Sequence, residues 1–386
     1  MAYSGTTYLL DRRLLTKSGL SRILESKQSQ YIFAELLVNQ KCKTPSPPNS
    51  SQFEALSTID TMKISHLAVL FLGALVSGVQ SQGRAVLGQW SQTYTTPLVP
   101  VAAANLPDGR VVYWSAYDRF RFGGRRGFTA TAIFDPSTGR STETIVQNTD
   151  HDMFCPGTAT LEDGRVMITG GSNAGAVTIY DPVTNKWTKE PQMGVSRGYH
   201  SMTALHDGSV FTVGGSWSGG RGGKFGELWD PVRNLWLPLR GIRSDPLQTN
   251  DIEGVFRSDN HMWLFESPRR RIFHAGPSRQ MHWLDVRGAN GRGSITQSIS
   301  RGNDKDAMNG NAVMYDVGRI LTVGGAENYN SGSASNATHS INIRRAEATV
   351  EQVGDMKSPR VLSSSVVLPS GEVVVFGGQT SGKNQF

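Results

Sequence analysis

Four segments of the chain repeat one pattern, and this repetition constrains the fold more than any other feature of the sequence. In each segment a turn containing Gly leads into a run of apolar or β-branched residues, and the run closes on a Gly-Gly pair. A turn of this kind followed by an apolar strand predicts a β-hairpin. The four segments are LEDGRVMITGGSN (161–173), LHDGSVFTVGGSW (205–217), MYDVGRILTVGGAE (314–327) and LPSGEVVVFGGQT (368–380).

The spacing of the Gly-Gly pairs indicates further units between and before these four. Successive pairs are 44, 110 and 53 residues apart. The middle gap is about two periods, and RIFHAGPS (271–278) lies where the absent repeat is expected. LPDGRVVYWSA (106–116) is a variant without the glycine pair. The pairs begin at Gly170, Gly214, Gly324 and Gly377.

A tryptophan-bearing strand follows some of the repeats, as in VTIYDPVTNKW (177–187) and GELWDPVRNLW (226–236). A period near 50 with Gly-Gly and a later tryptophan is typical of kelch repeats, in which each repeat is one four-stranded blade. One sheet cannot bury both of its faces alone, so blades stack around an axis. The predicted fold is all-β, a kelch-type β-propeller with five or six recognisable blades.

A secretion signal is predicted well inside the chain. MKISHLAVLFLGALVSGVQSQ begins at Met62 and has Lys63, an apolar run over 67–79 and a small-residue cleavage site at 79–81. The apolar run is typical of a signal peptide and is too short for a transmembrane helix. We therefore interpret residues 1–61 as a spurious or disordered extension, 62–81 as the signal peptide and 82–386 as the propeller domain. The alternative is a genuine extension with an internal signal anchor.

The chain is basic, with 39 Lys and Arg against 32 Asp and Glu, a net charge of +7 and a pI near 9.4. Basic character can indicate nucleic-acid binding, and SGGRGGKFG (218–226) is similar to a glycine-arginine RNA-binding segment. The arginines are scattered over predicted loops, and the aromatic residues lie in apolar strands, so no stacking platform is evident. We expect solvated surface charge, no nucleic-acid partner, and no stable membrane association after signal cleavage.

The sequence HDMFCPG (151–157) contains the second of only two cysteines, Cys42 and Cys155. If Cys42 is removed with the signal peptide, Cys155 has no internal partner. An odd cysteine in a secreted chain suggests intermolecular pairing or a thiol with its own chemistry. The alternative is a buried cysteine that acts as a small apolar residue.

Several motifs in one order resemble the galactose oxidase family, secreted fungal copper-radical oxidases built on a kelch propeller. The resemblance runs from Leu87 to Gln379 and implies a propeller of seven blades. It also implies oxidation of a primary alcohol, galactose C6 or similar, to an aldehyde with O2 reduced to H2O2. The motifs are LGQWSQTYTTPLVPVAAA (87–104), HDMFCPG, SRGYHSMTALHDGSVFTVGGSWSGG (196–220), RSDNHMWLF (257–265) and DAMNGNAVMYD (306–316).

The resemblance implies two cofactors, a copper ion and a self-derived thioether radical. Cys155 would bond to the ring of Tyr199, which would also bind copper, and Trp217 would stack over the sulfur. These three are the predicted catalytic residues, and Tyr199 is the predicted metal ligand. The alternative for Tyr199 alone is core packing, and for Trp217 alone a plug at a blade edge.

The resemblance also predicts four substrate-binding residues: Phe154, Arg257, Tyr329 and Asn330. A guanidinium offers a fork of donors that suits a vicinal diol. The family has a glutamine where this chain has Asn330, whose amide reaches less far. A primary alcohol other than galactose is therefore left open. We expect a monomer whose partners are O2 and a small-molecule alcohol or galactose-containing carbohydrate.

The remaining copper ligands implied by the resemblance, a tyrosine-histidine dipeptide after the Gly-Gly strand and a later histidine, are absent between Gly377 and Phe386. Tyr199-His200 is similar to that dipeptide, but its setting identifies Tyr199 as the thioether partner. We therefore predict a chain truncated before the last blade and C-terminal domain, and inactive as written. The alternative is a non-catalytic kelch propeller that binds carbohydrate or protein. The other histidines are predicted to be structural or exposed: His151, His206, His261, His274, His282 and His339.

Overall fold

The computed structural model describes residues 6–8, 91–123 and 126–381. The predicted signal peptide lies outside these residues, as does the predicted N-terminal extension apart from 6–8. Two short strands, β1 (Thr6–Tyr8) and β2 (Thr93–Thr95), lie outside the blades. Residues from Tyr94 onward fall in one compact unit that contains all the blades. None of the helices in the described residues is long and apolar enough to cross a membrane.

Five four-stranded antiparallel sheets follow one another along the chain, each made of consecutive strands. Blade 1 contains β3 (Ala102–Asn105), β4 (Val111–Trp114), β5 (Thr129–Asp135) and β6 (Arg140–Val146). Blade 2 contains β7 (Gly157–Thr160), β8 (Val166–Thr169), β9 (Val177–Asp181) and β10 (Lys186–Glu190). Blade 3 contains β11 (Ser201–Ala204), β12 (Val210–Val213), β13 (Gly226–Asp230) and β14 (Leu235–Leu239).

Blade 4 contains β15 (Trp263–Glu266), β16 (Ile272–Gly276), β17 (Gln280–Asp285) and β18 (Ser294–Ser300). Blade 5 contains β19 (Asn311–Asp316), β20 (Arg319–Val323), β21 (Thr338–Asn342) and β22 (Thr349–Gln352). A hairpin of β23 (Val361–Val367) and β24 (Val373–Gln379) follows. The loops of blade 4 and before it carry a 3-10 turn and two helices, η1 (Asp245–Leu247), α1 (Val255–Ser258) and α2 (Gly288–Gly291).

The predicted all-β propeller architecture is confirmed. Each of the four Gly-Gly segments contains the turn between the first and second strands of a blade or of the final hairpin, together with the second strand. RIFHAGPS, expected to fill the gap in the repeats, contains β16, the second strand of blade 4. Five complete sheets and one hairpin agree with the predicted five or six blades.

Blades stack because their second strands carry apolar residues on both faces. Successive side chains of a strand point to opposite faces of the sheet. Val166 and Ile168 of β8 accordingly pack with Trp114 of blade 1. Met167, between them, packs with Val210 of blade 3. Blades 3 and 4, and blades 4 and 5, share apolar clusters in the same way.

Three of the four Gly-Gly pairs, which we call the glycine corners, lie against the backbone that enters the next blade or the final hairpin. The Gly171 N–H donates to the carbonyl of Arg197 at 2.9 Å. Gly170 has a φ of +64°, and a Cβ on it would overlap the same carbonyl oxygen. Equivalent hydrogen bonds run from Gly215 to Asp259 and from Gly325 to Arg360. Only a residue without a side chain permits this approach, which explains the repeated glycines.

The first strands of blades 2 to 5 and of the final hairpin each have one residue at an equivalent position near their start. We call them the entry residues: Cys155, Tyr199, His261, Asn309 and Leu362. All have φ between +54° and +57°. Non-glycine residues in this conformation are uncommon, and they cluster at functional sites.

Backbone hydrogen bonds connect three of the four successive pairs of entry residues. The Tyr199 N–H donates to the Cys155 carbonyl, and the His261 N–H donates to the Tyr199 carbonyl, both at 3.0 Å. The Leu362 N–H donates to the Asn309 carbonyl at 2.6 Å. These bonds hold side chains from consecutive blades close together, among them the predicted catalytic pair.

Candidate functional site

Cys155 and Tyr199 are side-chain neighbours as well as backbone neighbours. Tyr199 and Trp217 pack against the buried cluster that contains Cys155 and Phe154, and the thiol and the phenol influence each other's pKa. Cys155 is a free thiol and is 9% exposed. Burial raises the pKa of the Cys155 thiol and also raises the pKa of the Tyr199 phenol, with the nearby Cys155 and Tyr329 adding to the shift in Tyr199. Both groups are therefore neutral at physiological pH in this structure.

Aromatic rings cover this pair on one side. The Trp217 ring lies 4.8 Å from the Tyr199 ring at an interplanar angle of 48°. Phe154 lies 6.1 Å from Trp217, and Phe122 stacks on Phe154 at 4.6 Å and 9°. Phe122 is 68% exposed although it is a large apolar residue. Phe122 therefore extends the apolar wall formed by Phe154 toward solvent. No motif in the sequence indicated this contact.

Trp217 is held in place by the polar residues on either side of it. The N–H and Oγ of Ser216 donate to the Asp259 carboxylate at 2.8 and 2.6 Å. The Ser218 Oγ donates to the Gly171 carbonyl at 2.8 Å. The corner glycine of blade 2 therefore helps to fix the indole that covers Tyr199.

The other three predicted substrate-binding residues also lie near Tyr199. The Arg257 guanidinium, on α1, lies over the Tyr329 ring at 4.1 Å. Tyr329 lies close enough to Tyr199 to contribute to the raised pKa of the Tyr199 phenol. Asn330 follows Tyr329 and donates from Nδ2 to the Glu253 carboxylate. The structure therefore brings Arg257, Tyr329 and Asn330 to the same site as Tyr199.

His261, which the sequence predicted to be structural or exposed, also lies beside Tyr199. Its ring lies 4.7 Å from the Tyr199 ring and stacks on Tyr329 at 5.9 Å and 12°. Burial lowers the pKa of His261 to about 4, and the charge of Arg257 contributes, so the imidazole is neutral at physiological pH. His261 precedes β15 by two residues, as Tyr199 precedes β11 by two residues. The sequence could indicate this equivalence only if the first strand of each blade were already known.

The other histidines of the described blades make contacts elsewhere. His200 bonds Thr169 at 2.7 Å and packs against the corner glycines rather than the Tyr199 phenol. His151 is fully buried and bonds the Gly170 carbonyl at 2.8 Å. The remaining four pair with carboxylates or with each other in cross-strand positions: His206, His274, His282 and His339.

Comparison with known proteins places this geometry in context. No protein-family model matches the chain. Galactose oxidase of Gibberella zeae is 42% identical to it over 304 residues, which are 77% of this chain and 45% of that protein. The propeller is homologous to galactose oxidase. This chain spans about half the length of that curated relative.

A solved structure supports the same homology. A fungal alcohol oxidase of the AA5 family, determined in complex with copper, is 36% identical and superposes with a TM-score of 0.71. The match covers 76% of this chain and 62% of that one. The fold of that alcohol oxidase is therefore shared over most of the described propeller.

Copper is implied by this homology, but the residues described here do not complete a site for it. Type II copper prefers nitrogen and oxygen ligands in a tetragonal array. Tyr199 offers one phenol oxygen. Within residues 91–123 and 126–381, no group of three or more His, Cys, Asp or Glu side chains is arranged to hold a metal ion. The described residues thus provide one candidate ligand atom for copper, the Tyr199 phenol oxygen.

Asp152 is a buried carboxylate beside this site, and its replacement gives a pH-dependent test of the geometry. It is 0% exposed, its Oδ1 accepts the Phe154 N–H at 3.3 Å, and its Oδ2 has no partner in the described chain. Burial raises its pKa from 3.8 to about 6. The folded state thus holds this proton more tightly than the unfolded state, and the associated stability is lost as the pH rises from about 4 through 6.

Asp152→Asn should therefore raise the free energy of unfolding above pH 6. The change should be about 2–3 kcal/mol more favourable there than at pH 4. Urea unfolding at pH 4.5 and 7.5 measures the difference. Asp181→Asn is the matched control, because hydrogen bonds from Thr184 lower the pKa of that exposed carboxyl. Its effect on stability should be nearly the same at these two pH values, because both lie above the range in which that carboxyl titrates. An equal effect of Asp152→Asn at both pH values would show that the carboxylate is not desolvated.

Proposed function

We propose that this propeller is the alcohol-binding and radical-bearing part of a secreted copper-radical alcohol oxidase. Its reaction would convert a primary alcohol to an aldehyde while O2 is reduced to H2O2. The observation that carries the proposal is the packing of Tyr199 and Trp217 against the buried cluster that contains Cys155, together with the backbone hydrogen bond from Tyr199 to Cys155. Homology to galactose oxidase and to a copper-binding AA5 alcohol oxidase supports it.

The proposed organic cofactor is a thioether between Cys155 Sγ and a ring carbon of Tyr199 next to the phenol oxygen. The backbone hydrogen bond from Tyr199 to Cys155 and the packing of Tyr199 against the cluster that contains Cys155 support this thioether bond. A sulfur substituent and a covering indole spread an unpaired electron and shield it from solvent. In this scheme Cys155 and Tyr199 form the radical centre, and Trp217 protects it.

The proposed alcohol-binding surface faces this centre from two directions. Phe154 and Phe122 form an apolar wall, while Arg257, Tyr329 and Asn330 provide hydrogen-bonding groups. An apolar wall opposite a few convergent polar groups is typical of small-molecule sites. The arrangement suits a sugar or another primary alcohol with additional hydroxyls.

The copper ligand set leads to a prediction for the 386-residue chain itself. With Tyr199 as the single ligand identified in the described residues, we expect no sustained alcohol oxidation by this chain. The measurement is H2O2 release from galactose, glycerol and benzyl alcohol with added Cu(II), for the unaltered chain and for Tyr199→Phe. Sustained release that requires Tyr199 would contradict this expectation and show that ligands outside the described residues complete the site.

A non-catalytic carbohydrate-binding propeller is the second candidate, and the incomplete copper ligand set favours it. The two functions differ at Cys155. A binding protein would keep Cys155 as a thiol that alkylates after unfolding, and Cys155→Ala would not change its behaviour. An oxidase requires the thioether, so blocking Cys155 would remove the radical centre.

A further inference from the structure

One carboxylate connects two of the residues proposed to bind the alcohol. Glu253 lies in the loop before α1 and accepts a hydrogen bond at Oε2 from Arg257 Nε at 3.2 Å. Its other oxygen, Oε1, accepts from Asn330 Nδ2. Arg257 and Asn330 come from different blade connections, 73 positions apart in the sequence, so no local chain geometry holds them together. Glu253 is the group they share.

The backbone of the same loop is fixed to the Asn330 segment. Asp251 Oδ1 accepts the Glu253 N–H at 2.8 Å. Asp251 Oδ2 accepts the Tyr329 N–H at 2.5 Å. Glu253 is therefore fixed at its main chain as well as at its carboxylate, and it is 31% exposed. A group held in this way can orient its partners.

The Arg257 guanidinium has little freedom to adopt another position. It lies over the rings of Phe256, at 4.5 Å, and Tyr329, at 4.1 Å. A planar guanidinium donates hydrogen bonds only within its own plane. Glu253 accepts the hydrogen bond from Arg257 Nε, and its negative charge compensates that of the guanidinium. Arg257 is 8% exposed.

Two polar atoms of this cluster remain unpaired. Among the described residues, Arg257 Nη1 and Asn330 Oδ1 have no hydrogen-bond partner and are shielded from water. Buried polar atoms almost always have hydrogen-bond partners. An unpaired donor and an unpaired acceptor on two residues that share the Glu253 carboxylate therefore need an explanation. Hydroxyl groups both accept and donate, and two neighbouring hydroxyls would satisfy both atoms at once.

We propose that Glu253 is a positioning residue that orients Arg257 and Asn330 as a donor–acceptor pair for neighbouring hydroxyls of a polyol ligand. This inference rests on the proposed alcohol-binding function and specifies its substrate class. A glutamine at this position offers only one oxygen and places an amide N–H against one of the two donors. Glu253→Gln therefore cannot hold both partners, although its size is unchanged.

The test uses the full chain and two probes that bind without turnover. Methyl β-galactopyranoside carries neighbouring hydroxyls, and benzyl alcohol carries a single hydroxyl on an apolar ring. Dissociation constants come from saturation-transfer NMR titrations. We expect Glu253→Gln to weaken the galactoside about 10-fold, the loss expected for a charged hydrogen-bonding arrangement. The dissociation constant of benzyl alcohol should change by less than about 2-fold. The ratio of the two dissociation constants therefore measures the specific loss of galactoside binding.

A compensating pair of substitutions separates positioning from general damage. In the Glu253→Gln plus Asn330→Asp double variant, the new amide donates to the new carboxylate, and the remaining amide oxygen accepts from Arg257. We expect it to recover most of the galactoside affinity. Glu351→Gln, at an exposed glutamate on β22, is the control and should change neither probe.

Each outcome decides a separate point. Unchanged galactoside affinity in Glu253→Gln, or an equal loss for both probes without rescue, would overturn the positioning role alone. Failure of the unaltered chain to bind either probe would overturn the proposed alcohol-binding site and this inference with it. If Glu253→Gln does not fold, the double variant and Glu253→Asp, whose shorter side chain cannot span both partners, provide the same comparison.

Discussion

Replacement of Arg197 by methionine is expected to destabilise the propeller by about 3–5 kcal/mol, because it leaves a buried carboxylate without its counter-charge. Arg197 is 0% exposed and donates from Nη2 to Glu227 at 2.8 Å, and Glu227 is 2% exposed. The same guanidinium donates to the Gly214 carbonyl at 2.9 Å and the Phe225 carbonyl at 2.5 Å. Since Arg197 precedes Tyr199 by two residues, its loss should also disturb the site.

Arg344→Met is the matched control for this prediction. Arg344 also bonds a carboxylate, that of Asp316, at 2.6 Å, but both partners are at least 40% exposed. Surface pairs of this kind contribute about 0–1 kcal/mol. Chemical denaturation of the two variants measures the difference in their unfolding free energies. Similar losses in both would show that the Arg197 pair is not buried in solution.

The second large effect is expected at the glycine corner of blade 2. Gly170→Ala should lower the free energy of unfolding by about 2–5 kcal/mol. A left-handed conformation costs a non-glycine residue about 1–2 kcal/mol. The overlap of the new Cβ with the Arg197 carbonyl adds about 1–3 kcal/mol. Gly223 has nearly the same φ, +63° against +64°, and a Cβ there would meet nothing within 4 Å. Gly223→Ala should therefore show the conformational cost alone.

The comparison of these two glycines also tests how the fold positions the site. The Arg197 carbonyl that Gly170→Ala would displace lies on the segment leading to Tyr199. We expect weaker galactoside binding in Gly170→Ala and unchanged binding in Gly223→Ala. Equal stability losses for the two variants would mean that the corner does not contact the next blade as described.

The blades were predictable because their signal is local and repeated. A turn, an apolar run and Gly-Gly fall within about a dozen consecutive residues, and the structure places β8, β12, β20 and β24 in those runs. The position of blade 4 followed from the spacing even though its Gly-Gly pair is absent. The predicted grouping of Arg257 with Tyr199 came from resemblance, since nothing local in RSDNHMWLF indicates which residues it faces.

The parts of the site that the sequence did not reveal depend on contacts between distant segments. His261 joins the site through its equivalence to Tyr199 at the entry to a blade, which becomes visible only when blade starts are known. Phe122 stacks on Phe154 from another blade. Glu253 is one of 32 acidic residues, and its two partners identify it only in three dimensions.

The central claim is that Cys155 and Tyr199 form one organic cofactor, and peptide mass spectrometry tests it most directly. The chain is treated in air with excess Cu(II) as a one-electron oxidant, unfolded, alkylated and digested. Formation of the thioether breaks the S–H bond of Cys155 and a ring C–H bond of Tyr199. Two protons and two electrons leave, and two Cu(II) ions accept the electrons. We predict a linked peptide pair two hydrogens lighter than its parts, absent in Cys155→Ala and Tyr199→Phe. Recovery of Cys155 fully alkylated, with the Tyr199 peptide separate and unmodified, would contradict the claim.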